Sequence, residues 1–366
     1  MLLSSKRYGR RAWPQVVAGP LAAGVLVVSA PAAVGGTPAR AGAIAGALGV
    51  PGRLTVSGSQ IFTPDGQPIV LRGFNWGQWG TAQPQDAADN VAQGANSVRI
   101  PLRWWGKWKP GVDSYDKKAP GHIDPAHLKL LDKTIGWATS QHLWVVLFAD
   151  SNYGQGAQGR KDNFWTDPTM RRQFFQMWQF LAHRYATTPY LAAYELLAEP
   201  RPSGISDADV RSFYASLIDA VRHEDSRTPV VVGPNDGYNL HQLAGAYMPG
   251  VSDVIYTGDY FIFSNPLDRM KFITSFEQKY DAPVWINQVG IPSGKPDSKA
   301  KARTVLGAFN QTGIGWAWWT YRDQGTSPNG SGIYYQDPAH PGHYILKKDW
   351  LALVSSYFRQ KANPRG

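Results

Sequence analysis

The sequence predicts a (β/α)8 barrel, a closed ring of parallel strands wrapped in helices. Three observations carry this. Strand-like apolar runs alternate with helical stretches, giving eight strand candidates in about 300 residues, the count and size of that fold. The runs are continuously apolar, as in strands buried on both faces. Several end in polar or charged residues, at the end where such barrels place their chemistry. A doubly wound sheet also buries its strands on two faces and is the alternative arrangement.

The elements follow in order along the 366 residues. Residues 1–32 read as an export segment. Lys6, Arg7, Arg10 and Arg11 form a basic start, Val16–Val28 is apolar, and Ala30-Pro31-Ala32 offers a small-residue cleavage site. The Arg10-Arg11 pair points to twin-arginine export. The apolar run is too short to span a bilayer, so no membrane span is expected after processing; a retained anchor is the other reading. Residues 33–50 are an Ala/Gly-rich spacer, and 51–366 form one domain. Leu54-Thr55-Val56 and Gln60-Ile61-Phe62 flank a Ser57-Gly58-Ser59 turn, which predicts a small hairpin covering one end of the domain.

The strand candidates are Ile69–Phe74, Asn96–Pro101, Leu143–Phe148, Leu191–Leu197, Pro229–Gly233, Asp253–Thr257, Pro283–Gln288 and Ile314–Trp319. Helices are predicted near 85–93, 125–141, 168–186, 206–224, 266–280, 297–310 and 347–361, with a short segment near 239–247. Asp124-Pro125, Asp167-Pro168 and Asn265-Pro266 each pair a capping side chain with proline at the first helical position. Ser206 with Asp209 resembles a capping box. Phe174, Met177, Trp178 and Leu181 share one helix face and belong to the core, as do Trp137 and Trp144.

Composition removes several classes of function. With no cysteine, disulfides, thiolate metal sites and cysteine nucleophiles are excluded. The net charge of +10 includes four basic residues of the export segment, and the remaining excess is spread along the chain rather than gathered for nucleic acid. No histidine stands at a strand end, so a histidine-based triad has no base. His340 and His343 lack partner ligands, and neither a metal nor a cofactor is expected. Gly154–Gly159 matches G-x-G-x-x-G, but no helix start follows it closely; it reads as a flexible loop over the groove. Fifteen tryptophans exceed the needs of a core. Trp76, Trp79, Trp104, Trp105, Trp108 and Trp165 lie near loops after strands, where they would line a groove for sugar rings.

The strand ends carry a resemblance. Leu71-Arg72-Gly73-Phe74-Asn75-Trp76, Gly94–Pro101, Tyr194-Glu195-Leu196-Leu197 with Glu199-Pro200, and Gly313–Ala317 with Trp319 stand in the order of family 5 glycoside hydrolases. The likeness covers about residues 54–360. It implies a secreted barrel, taken as a monomer, that hydrolyses a β-linked glucan or mannan with retention. It places Glu199 as the acid/base, Arg99 beside the nucleophile, and Trp319 as the aromatic floor where the bond breaks. Asn75 and Trp76 fall at the mouth of the first strand and are expected to bind substrate.

Four positions depart from the family. Ala198 replaces the asparagine before the acid/base, and Asp150 stands near the expected histidine. The sixth strand puts Asp259 on a histidine, with Phe261 or Tyr260 on a tyrosine. Gln288 occupies the place of the nucleophilic glutamate, where an amide cannot form the glycosyl ester. Asp150, Asp259 and Glu199 would form an acidic cluster near Arg99, raising the pKa of one carboxyl. Asp259 is then the candidate second catalytic carboxyl, with Asp150 and Gln288 as sugar ligands. The alternative is a polysaccharide-binding protein without turnover.

Overall fold

The computed structural model describes residues 52–361, apart from 78–79, 106, 110–111, 114, 117, 120, 151–154, 156–162, 203, 236–238 and 262–264. The expected export segment and spacer lie outside the described residues. So do Trp79, the Trp108 side chain and all of Gly154–Gly159 except Gln155.

The barrel strands form where apolar runs were expected, except for Asp259–Phe261, which lies past the expected Asp253–Thr257. Strands β1 (Thr55–Ser57) and β2 (Gln60–Phe62) make the hairpin. The barrel then runs through β3 (Arg72–Asn75), β4 (Ser97–Leu102), β7 (Trp144–Ala149), β8 (Leu191–Glu195), β9 (Val230–Val232), β10 (Val254–Tyr256), β11 (Asp259–Phe261), β12 (Trp285–Gly290) and β13 (Gly315–Trp318). A side hairpin, β5 (Lys107–Lys109) and β6 (Val112–Asp113), follows β4. Nine parallel segments make eight strands because β10 and β11 are halves of the sixth, interrupted at Thr257-Gly258. β10 pairs with β9 and β11 with β12. A bridge from Tyr256 to Val284 joins the two edges and closes the ring.

Helices cover the outside: α1 (Asp86–Ala92), α2 (Pro125–Ser140), α3 (Pro168–Tyr185), α4 (Asp207–Glu224), α5 (Met270–Tyr280), α6 (Ser298–Thr312) and α7 (Lys348–Phe358). The segment near 239–247 is a 3-10 helix, Leu240–Ala246. Asp124 accepts from the amides of Ala126 and His127, Asp167 from Thr169 and Met170, and Ser206 from Asp209. Such caps contribute about 1 kcal/mol each. Asn265-Pro266 does not start a helix. Asn265 Oδ1 accepts from the Leu267 amide at 3.1 Å, closing a local turn, and α5 begins only at Met270.

Two apolar clusters result. The larger lies between strands and helices and contains Val98, Ile100, Leu147, Tyr194, Val232, Ile286, Trp316 and Trp318. The smaller fills the barrel from one end, with Trp144, Val146, Ala193, Val231, Ile255, Trp285 and Ala317 packed on Leu54 and Ile61 of the hairpin. The hairpin thus stoppers the amino end, leaving the carboxyl end for chemistry.

A short three-stranded sheet, β14 (Arg322–Asp323), β15 (Tyr334–Gln336) and β16 (Tyr344–Leu346), follows the last barrel strand. Arg322 joins it to α1 through two hydrogen bonds to Asp86, at 2.9 and 2.6 Å, and lies over the rings of Tyr334 and Tyr344. Burial pushes the Asp86 carboxyl up, and the bonds from Arg322 oppose that shift. Removing one partner of a buried pair leaves the other charge without compensation. Asp86→Ala is therefore expected to lower stability by about 3–5 kcal/mol in urea unfolding.

Candidate active site

The carboxyl end of the barrel holds two polar layers. In the lower one Arg99, with no exposed surface, donates to both oxygens of Glu195 at 2.5 and 2.6 Å. Its third nitrogen donates to Asn75 Oδ1 at 2.8 Å, and its guanidinium lies 3.4 Å from the centre of the Phe148 ring. Asn75 Nδ2 donates to the carbonyl of Asn287 at 2.8 Å, with longer contacts to those of Ala317 and Trp318. Asn287 Nδ2 donates to Glu195 at 2.8 Å. Four strands are tied together by one neutralised charge.

Asn287 reaches this layer through a β-bulge. Ile286 pairs with Trp316 and Val289 with Trp318, so Asn287 and Gln288 both stand opposite Ala317. A bulge inserts one residue and re-aims the side chains beside it. Gln288 is buried and in register with Asp259 of the neighbouring strand.

The upper layer carries the carboxyls. Glu199 lies four residues past Glu195, in a left-handed conformation with φ 45°. A non-glycine residue there is strained, and such strain gathers at functional sites. The loop is held from outside. Gln155 Nε2 donates to the Glu199 carbonyl at 3.2 Å, while Gln155 Oε1 accepts from the Arg201 amide at 3.0 Å and from Trp165 Nε1 at 3.2 Å. The Arg201 guanidinium donates to the Glu199 carboxylate. Burial raises the Glu199 pKa; Arg201 pulls it back, Asp150 pushes it up and Arg99 pulls it down. Asp150 itself lies 3.6 Å from Arg103.

Asp259 is 4% exposed, and its Oδ1 has no hydrogen-bond partner. Burial holds its carboxyl well above the usual range, and Glu199 adds to the shift. On the same strand Tyr260 turns outward: its hydroxyl donates to the Pro266 carbonyl at 2.6 Å and its ring meets Phe309. Phe261 packs on Gly290, where an added Cβ would lie 2.1 Å from the ring. Only glycine allows that approach.

Three of the expected substrate ligands are buried side chains. Asn75 and Arg99 have no exposed surface, and their polar side-chain atoms are engaged within the lower layer. Trp76 is 2% exposed and donates to Asn90 at 2.8 Å. Trp104 and Trp165 are likewise buried, because a large apolar ring after a strand packs down onto the helices when a helix face is near. Trp105 stacks on Tyr115 at 4.4 Å. Trp319 is half-buried, its ring edge over Gly77. Among the described residues no cluster suits a metal ion.

Sequence reasoning passed over Asn287, Glu195 as a structural anion, and Arg201 as counter-ion to Glu199. The signal for Asn287 was present: an amide inside an apolar strand run must find partners.

A barrel with crowded carboxyls at the carboxyl ends of its strands is of the glycoside-hydrolase type. Residues 62–325 match the model of the cellulase family, glycosyl hydrolase family 5. The chain belongs to that family. It is 31% identical over 199 residues, 52% of its length, to a probable glucan 1,3-beta-glucosidase A of Aspergillus fumigatus, covering 45% of that protein. It is 22% identical over 291 residues to endoglucanase E-5 of Thermobifida fusca, covering 56% of it. The chain thus spans about half the length of the curated relatives it matches. Among solved structures it resembles an endogalactoceramidase, with TM-score 0.66, 18% identity, and coverage of 83% of this chain and 84% of that one. It also resembles endoglucanase Cel5A of Thermotoga maritima, with TM-score 0.60, 17% identity, and coverage of 77% and 96%. At these identities the structural likeness establishes the fold.

The two glutamates separate by role. Glu195→Gln is expected to lower stability by about 3–5 kcal/mol, because it leaves Arg99 buried without its anion. Glu199→Gln should change stability by less than about 1 kcal/mol, lying outside that network. Parallel urea unfolding of the two variants checks this.

Proposed function

We propose that the protein is an exported hydrolase of a β-linked polysaccharide, with Glu199 in the acid/base position and an altered nucleophile step. The observation that carries this reading is the placement of two largely buried carboxyls, Glu199 after β8 and Asp259 on β11, at the carboxyl end of a family 5 barrel. Burial raises both, and Glu199 adds to the shift of Asp259. Hydrolysis of a glycosidic bond needs two carboxyls whose environments differ. Asp259 supplies the second, since Gln288 cannot form a glycosyl ester. Arg99 donates to Glu195 and Asn75.

Export is supported by the basic, apolar and small-residue order of residues 1–32. Among the described residues no helix is long and apolar enough to cross a membrane. The curated relatives are named for glucan 1,3-, glucan 1,6- and mannan 1,4-linkages, which sets the panel of substrates to try. A second reading, a polysaccharide-binding protein without turnover, draws support from Gln288 alone.

Reducing-sugar release over β-1,3-, β-1,6- and β-1,4-glucans, mannans and bacterial exopolysaccharides tests the first reading. Glu199→Gln is expected to lower turnover on the best substrate by roughly 10²–10⁴-fold, the scale of a lost proton-transfer group. Binding without turnover by the unmodified protein would select the second reading.

Trp319 presents part of an indole at the site and is the proposed sugar platform. Trp319→Ala should weaken oligosaccharide binding by about 1–3 kcal/mol in calorimetry, the scale of stacking on an aromatic face.

A further inference from the structure

Gln155, in the loop after β7, is 2% exposed. A buried amide has to find partners for its N–H groups and its lone pairs. Here most of them come from the turn that carries Glu199. Gln155 Nε2 donates to the Glu199 carbonyl at 3.2 Å and approaches the Ala198 carbonyl at 3.5 Å. Its Oε1 accepts from the Arg201 amide at 3.0 Å and from Trp165 Nε1 at 3.2 Å. Carbonyls face the nitrogen and N–H groups face the oxygen, so the amide fits in one orientation only.

Gln155 is braced in turn from outside the barrel. Trp165 is 4% exposed and packs its ring on Phe213 of α4, with centroids 4.6 Å apart. The Trp165 amide donates to Asn163 Oδ1 at 3.0 Å, and Gln155 pairs with Asn163 in an antiparallel bridge. Arg171 of α3 donates to the carbonyls of Phe164 and Trp165. A line of contacts thus runs from two outer helices through an indole and an amide to a single turn.

That turn needs support. Glu199 has φ 45°, where any residue with a Cβ is strained. On one side of it the Ala198 amide donates to the Ala149 carbonyl at 3.1 Å. On the other side the Glu199 carbonyl and the Arg201 amide both end on Gln155. The Arg201 guanidinium donates to the Glu199 carboxylate, so Gln155 also fixes the backbone from which this counter-ion starts. Without the amide, relaxation of the turn to negative φ would swing the Glu199 side chain out of place.

We infer that Gln155 is the positioning residue for Glu199, holding the left-handed turn that sets where this carboxyl stands. The inference rests on the proposed hydrolase reading and adds to it a residue from a different loop. Gln155 acts only through Glu199, and this gives its loss a specific signature. Cleaving an ordinary glycosidic bond leaves negative charge on a basic oxygen, which needs a proton from the general acid. A dinitrophenolate is a weak base and leaves without that proton. Displacing Glu199 slows the first kind of substrate and spares the second, whereas loss of folded protein slows both alike.

Gln155→Met keeps the length of the side chain and removes its hydrogen bonds. It should lower kcat/KM on the best glycan of the panel by roughly 10²-fold, the scale of a misplaced catalytic group. On the dinitrophenyl β-glycoside of the same sugar the fall should be less than about threefold, because little proton transfer is lost. Trp165→Phe takes one bond from Gln155 and leaves the bonds to the turn, so it should show the same selectivity at smaller size. It carries the comparison if Gln155→Met does not fold. An equal fall on both substrates, or no fall on the glycan, overturns the positioning role.

Hydrogen exchange of the full chain gives a readout that needs no turnover. Exchange in the turn 198–201 should quicken in Gln155→Met, since the Arg201 amide loses its acceptor, while β8 keeps the parent's rate. Unchanged exchange in the turn overturns the inference. If the unmodified protein cleaves neither kind of substrate, the hydrolase reading falls, and exchange still decides whether Gln155 holds the turn.

Discussion

A guanidinium without exposed surface lies across the middle of this barrel, and the layer above it depends on how that charge is neutralised. Glu195 meets Arg99 with both oxygens, and Asn75 and Asn287 complete the ring of partners. Buried pairs of this kind are poor sources of net stability but strong constraints on geometry, because any broken contact leaves a charge in a dry place. Strands β3, β4, β8 and β12 are fixed relative to one another by side chains as well as by the ladder. The loops that carry Glu199 and Trp319 rise from β8 and β13, which flank β7, β4 and β3.

The bulge in β12 belongs to the same constraint. Without the extra residue, Asn287 and Gln288 would point to opposite faces. With it, one can support Glu195 while the other stands beside Asp259. Gln288 adds no anion to this strand. Among the other carboxyls at this end, burial raises Asp259, and Arg103 lies 3.6 Å from Asp150.

Much of the fold was legible in the sequence. Continuous apolar runs marked each barrel strand, and Asp-Pro pairs marked two helix starts to the residue. Asn265-Pro266 showed the limit of that signal, because an asparagine before proline closes a turn as readily as it caps a helix. The sixth strand was read only as Asp253–Thr257, and its second half, Asp259–Phe261, was not expected, since a three-residue segment is too short for periodicity to mark.

The sequence by itself determined the barrel, the family and the identity of the crowded carboxyls, because these follow from local patterns and from residues at strand ends. Tertiary structure alone decided what each polar residue does. Glu195 and Glu199 lie four residues apart and look alike in one dimension. One is locked beneath the site by an arginine 96 positions away, and the other is lifted above it by a left-handed turn. The tryptophans make the same point: Trp76 and Trp319 both follow strands, yet only the packing around each ring decides whether it is buried in the core or left half-exposed over Gly77. Burial and partnership are properties of neighbours distant in sequence, and no local pattern encodes them.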